Sequence, residues 1–182
     1  METRKETTPV LVSHWSTRFI WAAIIQGLAA TILTIPIVDP YLSPPVSKVI
    51  AGGSAGTWFL VGYIMYIVVG VIAVGLTALF YYHFEVSLGK TYKGISNAFG
   101  WVHLALMNVG AAAAAYMLMY GGYVAGGGML PVSEGGQGWT GLQAHVNVLA
   151  ALVNPTGIAI AICGIGVLAG GIGFVLTYFR KK

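Results

Sequence analysis

The chain has 182 residues, 57% of them hydrophobic and only 8% charged, with a mean hydropathy of +0.81 and a formal charge of +4. So much apolar surface excludes an ordinary soluble domain, and basic residues this dispersed exclude a nucleic-acid site; the charge is read instead as membrane topology and contact with an anionic lipid surface. The single cysteine, Cys163, excludes an intrachain disulfide or a multi-cysteine cluster.

A membrane core about 30 Å thick is crossed by roughly 20 apolar helical residues. On that rule the first span is expected over residues 19–38. It is too long for a signal-peptide core and is followed by Asp39-Pro40 rather than a small-residue cleavage pattern. Next comes a loop with Pro40, Pro44, Pro45 and the run Ala51-Gly52-Gly53-Ser54-Ala55-Gly56, a composition that favours irregular backbone. The second span is expected over residues 58–82 and the third over residues 98–124. A second Gly-rich loop follows, with Gly126-Gly127-Gly128 and Gly135-Gly136-Gln137-Gly138. Both loops are expected to need protein neighbours to become ordered.

As one straight helix, residues 140–179 would reach about 60 Å, twice the hydrocarbon thickness. Asn154-Pro155-Thr156-Gly157 is therefore expected to divide them into an amphipathic interfacial helix over residues 140–153 and a last span over residues 157–179. In the short helix Gln143, Asn147 and Asn154 form the polar stripe. Leu142, Val146, Leu149, Leu152 and Val153 form the apolar one, with His145 on their side.

Orientation follows from the cations. Arg4, Lys5 and Arg18 precede the first span, Lys90 and Lys93 separate the second from the third, and Arg180, Lys181 and Lys182 follow the fourth. Of the nine basic residues only Lys48 falls on the other side, so both termini are expected in the cytoplasm of a multi-pass plasma-membrane protein. The expected fold class is an all-α membrane protein: a four-helix transmembrane bundle with a short interfacial helix before the last span, one domain over residues 1–182.

Chemistry is sparse inside these spans. No Asp or Glu sits at a span centre, and no HExxH, CxxC, Walker loop or nucleophile elbow is present. Gln26 and Asn108 are the most polar interior residues, and interhelical hydrogen bonds account for them. On the third span His103, Met107, Gly110, Ala114 and Met117 share one face, continued by Gly121. A histidine above a groove of small residues suits either a neighbouring helix or the flat face of a haem held by its imidazole. The plainer alternative is a buried histidine bonded to a carbonyl or to Asn108. His14, His83 and His103 fall near one membrane face and His145 near the other, which disfavours a haem joining His103 to His145. His83 and His103 have a route to one another across adjacent helices, while an interfacial, solvated role suits His14 and His83. On the last span Ala159, Cys163, Gly166, Gly170 and Gly173 share a face, with GxxxG spacing from Gly166 to Gly170; this is a helix-packing signal.

The segment Gly100-Trp101-Val102-His103-Leu104-Ala105-Leu106, with Met117, Met119 and Tyr120 after it, resembles the histidine-bearing helix of haem-copper oxidase subunit I, in particular its nitric-oxide-reductase and cbb3-like branches. Ala144-His145-Val146-Asn147-Val148-Leu149 is similar to a pattern in small relatives of that superfamily. The likeness covers about a quarter of the chain. It implies haem as cofactor, with at most one ligand from His103 and another from His145; His83, by its route to His103 across adjacent helices, is the remaining candidate ligand. The adjacent His pair, His-x-His and His-Pro-Glu of a catalytic subunit are missing, so no catalytic residue is assigned and the chain is not expected to be an enzyme by itself. The resulting expectation is a non-autonomous subunit of a respiratory or oxidative electron-transfer complex, partnered by other membrane subunits and lipid. The alternatives are a structural accessory subunit of a copper-dependent membrane monooxygenase of the ammonia or methane type, and a small channel or transporter.

Overall fold

The computed structural model describes residues 13–180; Arg4, Lys5, Lys181 and Lys182 of the orientation argument lie outside the described residues. Those residues form helices and connecting turns with no strand, and four helices are long and apolar enough to cross a membrane. This is the expected multi-pass, all-α bundle. We number the helices α1 (His14–Val38), α2 (Val46–Ala51, a short loop helix), α3 (Gly56–Ser87), α4 (Ile95–Met129) and α5 (Gly141–Phe179).

α1 begins where Ser13 can cap it: the Ser13 hydroxyl accepts the Ser16 amide at 3.3 Å. The same hydroxyl donates to the Glu85 carboxylate, which also accepts the Trp15 amide at 3.0 Å. A carboxylate from the end of α3 thus satisfies the orphan N–H groups at the start of α1 and complements its dipole. That bond joins elements 70 residues apart and fixes both at one end of the bundle.

α4 and α5 pack most closely, because small residues let their backbones approach. A Cβ at Gly166 would lie 2.5 Å from the Met107 amide nitrogen, and one at Gly110 would strike the backbone of Cys163. In lipid, where no hydrophobic force drives helices together, close backbone contact is the main source of association. Gly166, Gly170 and Gly173 lie against Met107, His103 and Phe99 of α4. α3 meets the other side of α4 by the same means: Gly122 faces the Phe59 backbone and Gly62 faces Ala115 and Leu118. α1 leans mainly on α3 and touches α4 only lightly.

Two expected boundaries are corrected. Gly126-Gly127-Gly128, expected in the second loop, continue α4 to Met129. Residues 140–153 do not form a separate interfacial helix, since α5 runs through Pro155 without a break. Its start is fixed by a capping box between Thr140 and Gln143, and a π-helical turn at His145–Leu149 precedes the proline. Inside a membrane helix the carbonyl that a proline leaves unpaired is accommodated by local adjustment, so the residue kinks or is absorbed rather than terminating the helix. The buried face also differs from the expected apolar stripe. Ala144 and Leu149 are buried and Leu152 half-buried, whereas Leu142, Val146 and Val153 are exposed, as is His145. Gly121 decides this, because its missing side chain makes room for Leu152 and Leu149.

At 39 residues α5 is about 58 Å long and α4, at 35, about 52 Å, so each is longer than the hydrocarbon is thick, and the chain joins them at the end away from Ser13. There the two Gly- and Pro-rich loops order each other. Tyr123 donates to the Pro44 carbonyl at 3.1 Å, the Gln137 and Trp139 amides donate to Gly128, and Lys48 pairs with Glu134 at 3.7 Å. The neighbours expected to order these loops are therefore supplied within the chain.

Candidate functional site

His103 is the only buried histidine among the described residues, at 3% exposure. α4 points it at α5, whose Gly170 leaves no side chain between the backbone and the imidazole; a Cβ there would run into the ring. The Nδ1 atom lies 3.2 Å from the Tyr81 hydroxyl of α3. Phe19 of α1 and Phe174 of α5 close the surroundings, with ring centroids 5.0 and 6.1 Å from the imidazole. All four long helices meet at this residue.

The imidazole belongs to a larger aromatic core at the end that carries Ser13. Tyr81 stacks on Phe19 at 4.9 Å and on Trp15 at 5.6 Å and lies 4.8 Å from Phe174; Phe84 stacks on Phe174 at 5.3 Å. Trp15 in turn rests on Gly100, where a Cβ would come within 2.7 Å of the indole. Each aromatic pair adds about 0.5–1.5 kcal/mol beyond simple contact, so the cluster ties all four long helices together at this end.

The candidate haem ligands are not brought together. His83 is exposed at the end of α3 with its ring against Phe84, and it is Tyr81, two residues earlier, that reaches His103. His145 is exposed near the start of α5, 25 residues before Gly170, which places it about 38 Å along the axis from the level of His103. His14 is exposed at the start of α1. The groove formed by Met107, Gly110 and Ala114 beside His103 receives α5 itself, in contact with backbone at Ala159 and Cys163. The space in which the flat face of a haem would lie is filled by a helix. In this packing His103 fits a hydrogen-bonded structural histidine, and a macrocycle on its imidazole would have to displace Phe19 or Phe174. Among the described residues no cluster of three or more His, Cys, Asp or Glu has the arrangement of a metal site.

A second polar group lies near mid-span. Gln26 Nε2 donates to Asn108 Oδ1 at 3.1 Å, Tyr66 donates its hydroxyl proton to Gln26 Oε1, and Asn108 Nδ2 donates to the Leu104 carbonyl at 2.7 Å. Here the expected interhelical bonding of Gln26 and Asn108 is found, with Tyr66 as an additional member. The network pins α1, α3 and α4 in register and contains no ionisable carboxylate.

Sequence reasoning passed over Tyr81, Trp15, Phe19 and Glu85. A signal was present for Tyr81, since a tyrosine in an apolar span requires a partner for its hydroxyl when buried. For Glu85 it was the placement of a single acid between the second and third spans, where the other charges are Lys90 and Lys93. No family model, curated protein or solved structure matches the chain.

Proposed function

We propose that this chain is a non-catalytic, membrane-embedded subunit that packs as a scaffold within a larger respiratory or oxidative complex, with both termini in the cytoplasm. The observation that carries the scaffold reading is a seam on the outer side of α5. Ala150, Asn154, Gly157, Ala161, Gly164, Leu168 and Gly171 repeat at heptad spacing, all are exposed, and Gly157, Gly164 and Gly171 have no atom within 4 Å of where a Cβ would stand. Small residues with an occasional Asn on one face form the pattern by which membrane helices associate. The glycines on the opposite side of α5 are used internally, so this seam is available to a helix of another subunit.

The oxidative context rests on the resemblance of the His103 segment to haem-copper oxidase subunit I. In this reading His103 has kept a position in the helix packing, joined to Tyr81, and redox chemistry belongs to the partner chains. Cytoplasmic termini are supported by the grouping of Arg18, Lys90, Lys93 and Arg180 at one end of the bundle against Lys48 at the other.

The test is purification of the full chain from its native membrane in mild detergent, followed by native mass spectrometry and a reduced-minus-oxidised spectrum. Haem-containing membrane partners that dissociate on Gly164→Leu are expected, with the spectrum unchanged by His103→Ala in the intact complex. A copper enzyme without haem would move the chain to the monooxygenase alternative. A stable monomer with no heterologous subunit would refute the scaffold reading.

A further inference from the structure

At the end of the bundle that carries Ser13, a cavity of about 440 Å³ is lined by Arg18, Lys90, Lys93, His14 and Glu85 together with Trp15 and Tyr92. Next to it, a furrow of about 430 Å³ runs along the lightly packed α1–α4 face, lined by Trp21, Ile25, Leu104 and Trp101 and ending at Gln26 and Asn108. Arg18 lines both. Its guanidinium lies over two indoles that pack edge-on against each other, 4.4 Å from the Trp15 ring and 4.6 Å from the Trp101 ring. Cation–π contact with both rings holds the charge where the polar cavity meets the apolar furrow.

Among the described residues, charge in the cavity is unbalanced. Arg18, Lys90 and Lys93 face a single carboxylate, Glu85, which is already engaged by the Ser13 hydroxyl and the Trp15 amide at the start of α1. Among the described residues Arg18 forms no ion pair. Lys90 donates to the Arg180 carbonyl at 2.8 Å, and Arg180 donates to the Lys93 carbonyl at 3.0 Å, so the loop carrying both lysines is tied to the end of α5. From Arg18 to Gln26 the furrow follows eight residues of α1, about 12 Å toward the membrane centre.

We propose that this is a binding site for an anionic phospholipid, its phosphate in the cavity against Arg18, Lys90 and Lys93 and one acyl chain in the furrow between Trp21 and Leu104. Basic recesses between membrane helices at the polar boundary suit phosphate headgroups, and Trp21 and Trp101 expose their indoles beside this one, as Trp does at a membrane boundary. A free phosphate anion shares the headgroup chemistry but makes no use of the furrow.

The experiment is native mass spectrometry of the delipidated full-length chain in neutral detergent, titrated with phosphatidylglycerol or with phosphatidylcholine of the same acyl chains. Phosphatidylglycerol is expected to bind at least about tenfold more tightly. Arg18→Gln and Lys93→Gln should each weaken it about fivefold, and Lys48→Gln, at the opposite end, should leave it unchanged. Lys93 is exposed, so its variant keeps the test valid if loss of the Arg18 clamp disturbs folding. Leu104→Trp, which fills the furrow without altering charge, should weaken phosphatidylglycerol as well. Equal affinity for the two lipids, or an equal loss with Lys48→Gln, would overturn the proposal. Displacement of the lipid by millimolar inorganic phosphate would assign the cavity to a free anion and overturn the lipid reading.

Discussion

Gly170→Ala perturbs the His103 contact by one methyl group. The added carbon would stand 2.5 Å from Cγ of His103 and closer still to two other ring atoms, where ordinary contact begins at 3.4 Å. The ring has little room to retreat, because Tyr81, Phe19 and Phe174 enclose it. Overpacking of this kind costs about 1–3 kcal/mol, and moving Nδ1 away from the Tyr81 hydroxyl costs about 1 kcal/mol more. Helix propensity returns at most about 1 kcal/mol on exchanging Gly for Ala, leaving a net loss of about 2 kcal/mol. Gly171→Ala is the matched control, since nothing lies within 4 Å of its Cβ position and only the propensity gain applies. Cys163 provides the assay: it is the single thiol, half-buried against α4, so a thiol-reactive dye reports opening of the α4–α5 contact during heating. Gly170→Ala should lower the midpoint by about 4–8 °C and Gly171→Ala should hold or raise it. In Gly170→Ala combined with His103→Ala the clash disappears, so the pair should be less damaging than the sum of the single changes. Equal midpoints for Gly170→Ala and Gly171→Ala would refute the reasoning.

Glu85→Gln removes the charge that closes the start of α1, and about 1 kcal/mol should be lost; faster amide exchange at Trp15 and Ser16 checks it. Gly122→Ala presses a methyl group onto the Phe59 backbone, which cannot rotate away, so it should destabilise α3 against α4 by at least about 2 kcal/mol, read as a lower thermal midpoint. Tyr92, in the loop before α4, has its phenol pushed well above the usual range by burial, with Tyr81 and Glu85 adding to the effect. Its hydroxyl approaches Thr177, but Thr177 donates to the Gly173 carbonyl at 2.7 Å and Tyr92 Oη has no hydrogen bond of good geometry. The native state thus holds the neutral phenol while the unfolded chain ionises it near 10.0, so this contribution to stability is intact below that pH and declines above it. Tyr92→Phe should lose less midpoint than the parent between about pH 8 and about pH 11.

The sequence by itself determined that the chain is helical and crosses a membrane, because span number and approximate limits follow from apolar length against bilayer thickness, a local property of each segment. It also marked Gly166, Gly170 and Gly173 as packing residues, since small residues at helical spacing have a consistent use in lipid. It did not show whether a neighbouring helix or a haem would occupy the groove of small residues at His103. Only the tertiary structure decided that α5 lies against His103, and that Tyr81 rather than His83 reaches it. The same limit explains Pro155: local rules predict a break there, but the packing of Leu149 and Leu152 against Gly121 carries the helix straight on. Periodicity fixes which residues share a face, whereas the partner of that face depends on contacts between segments tens of residues apart, as the Glu85 bond to Trp15 does.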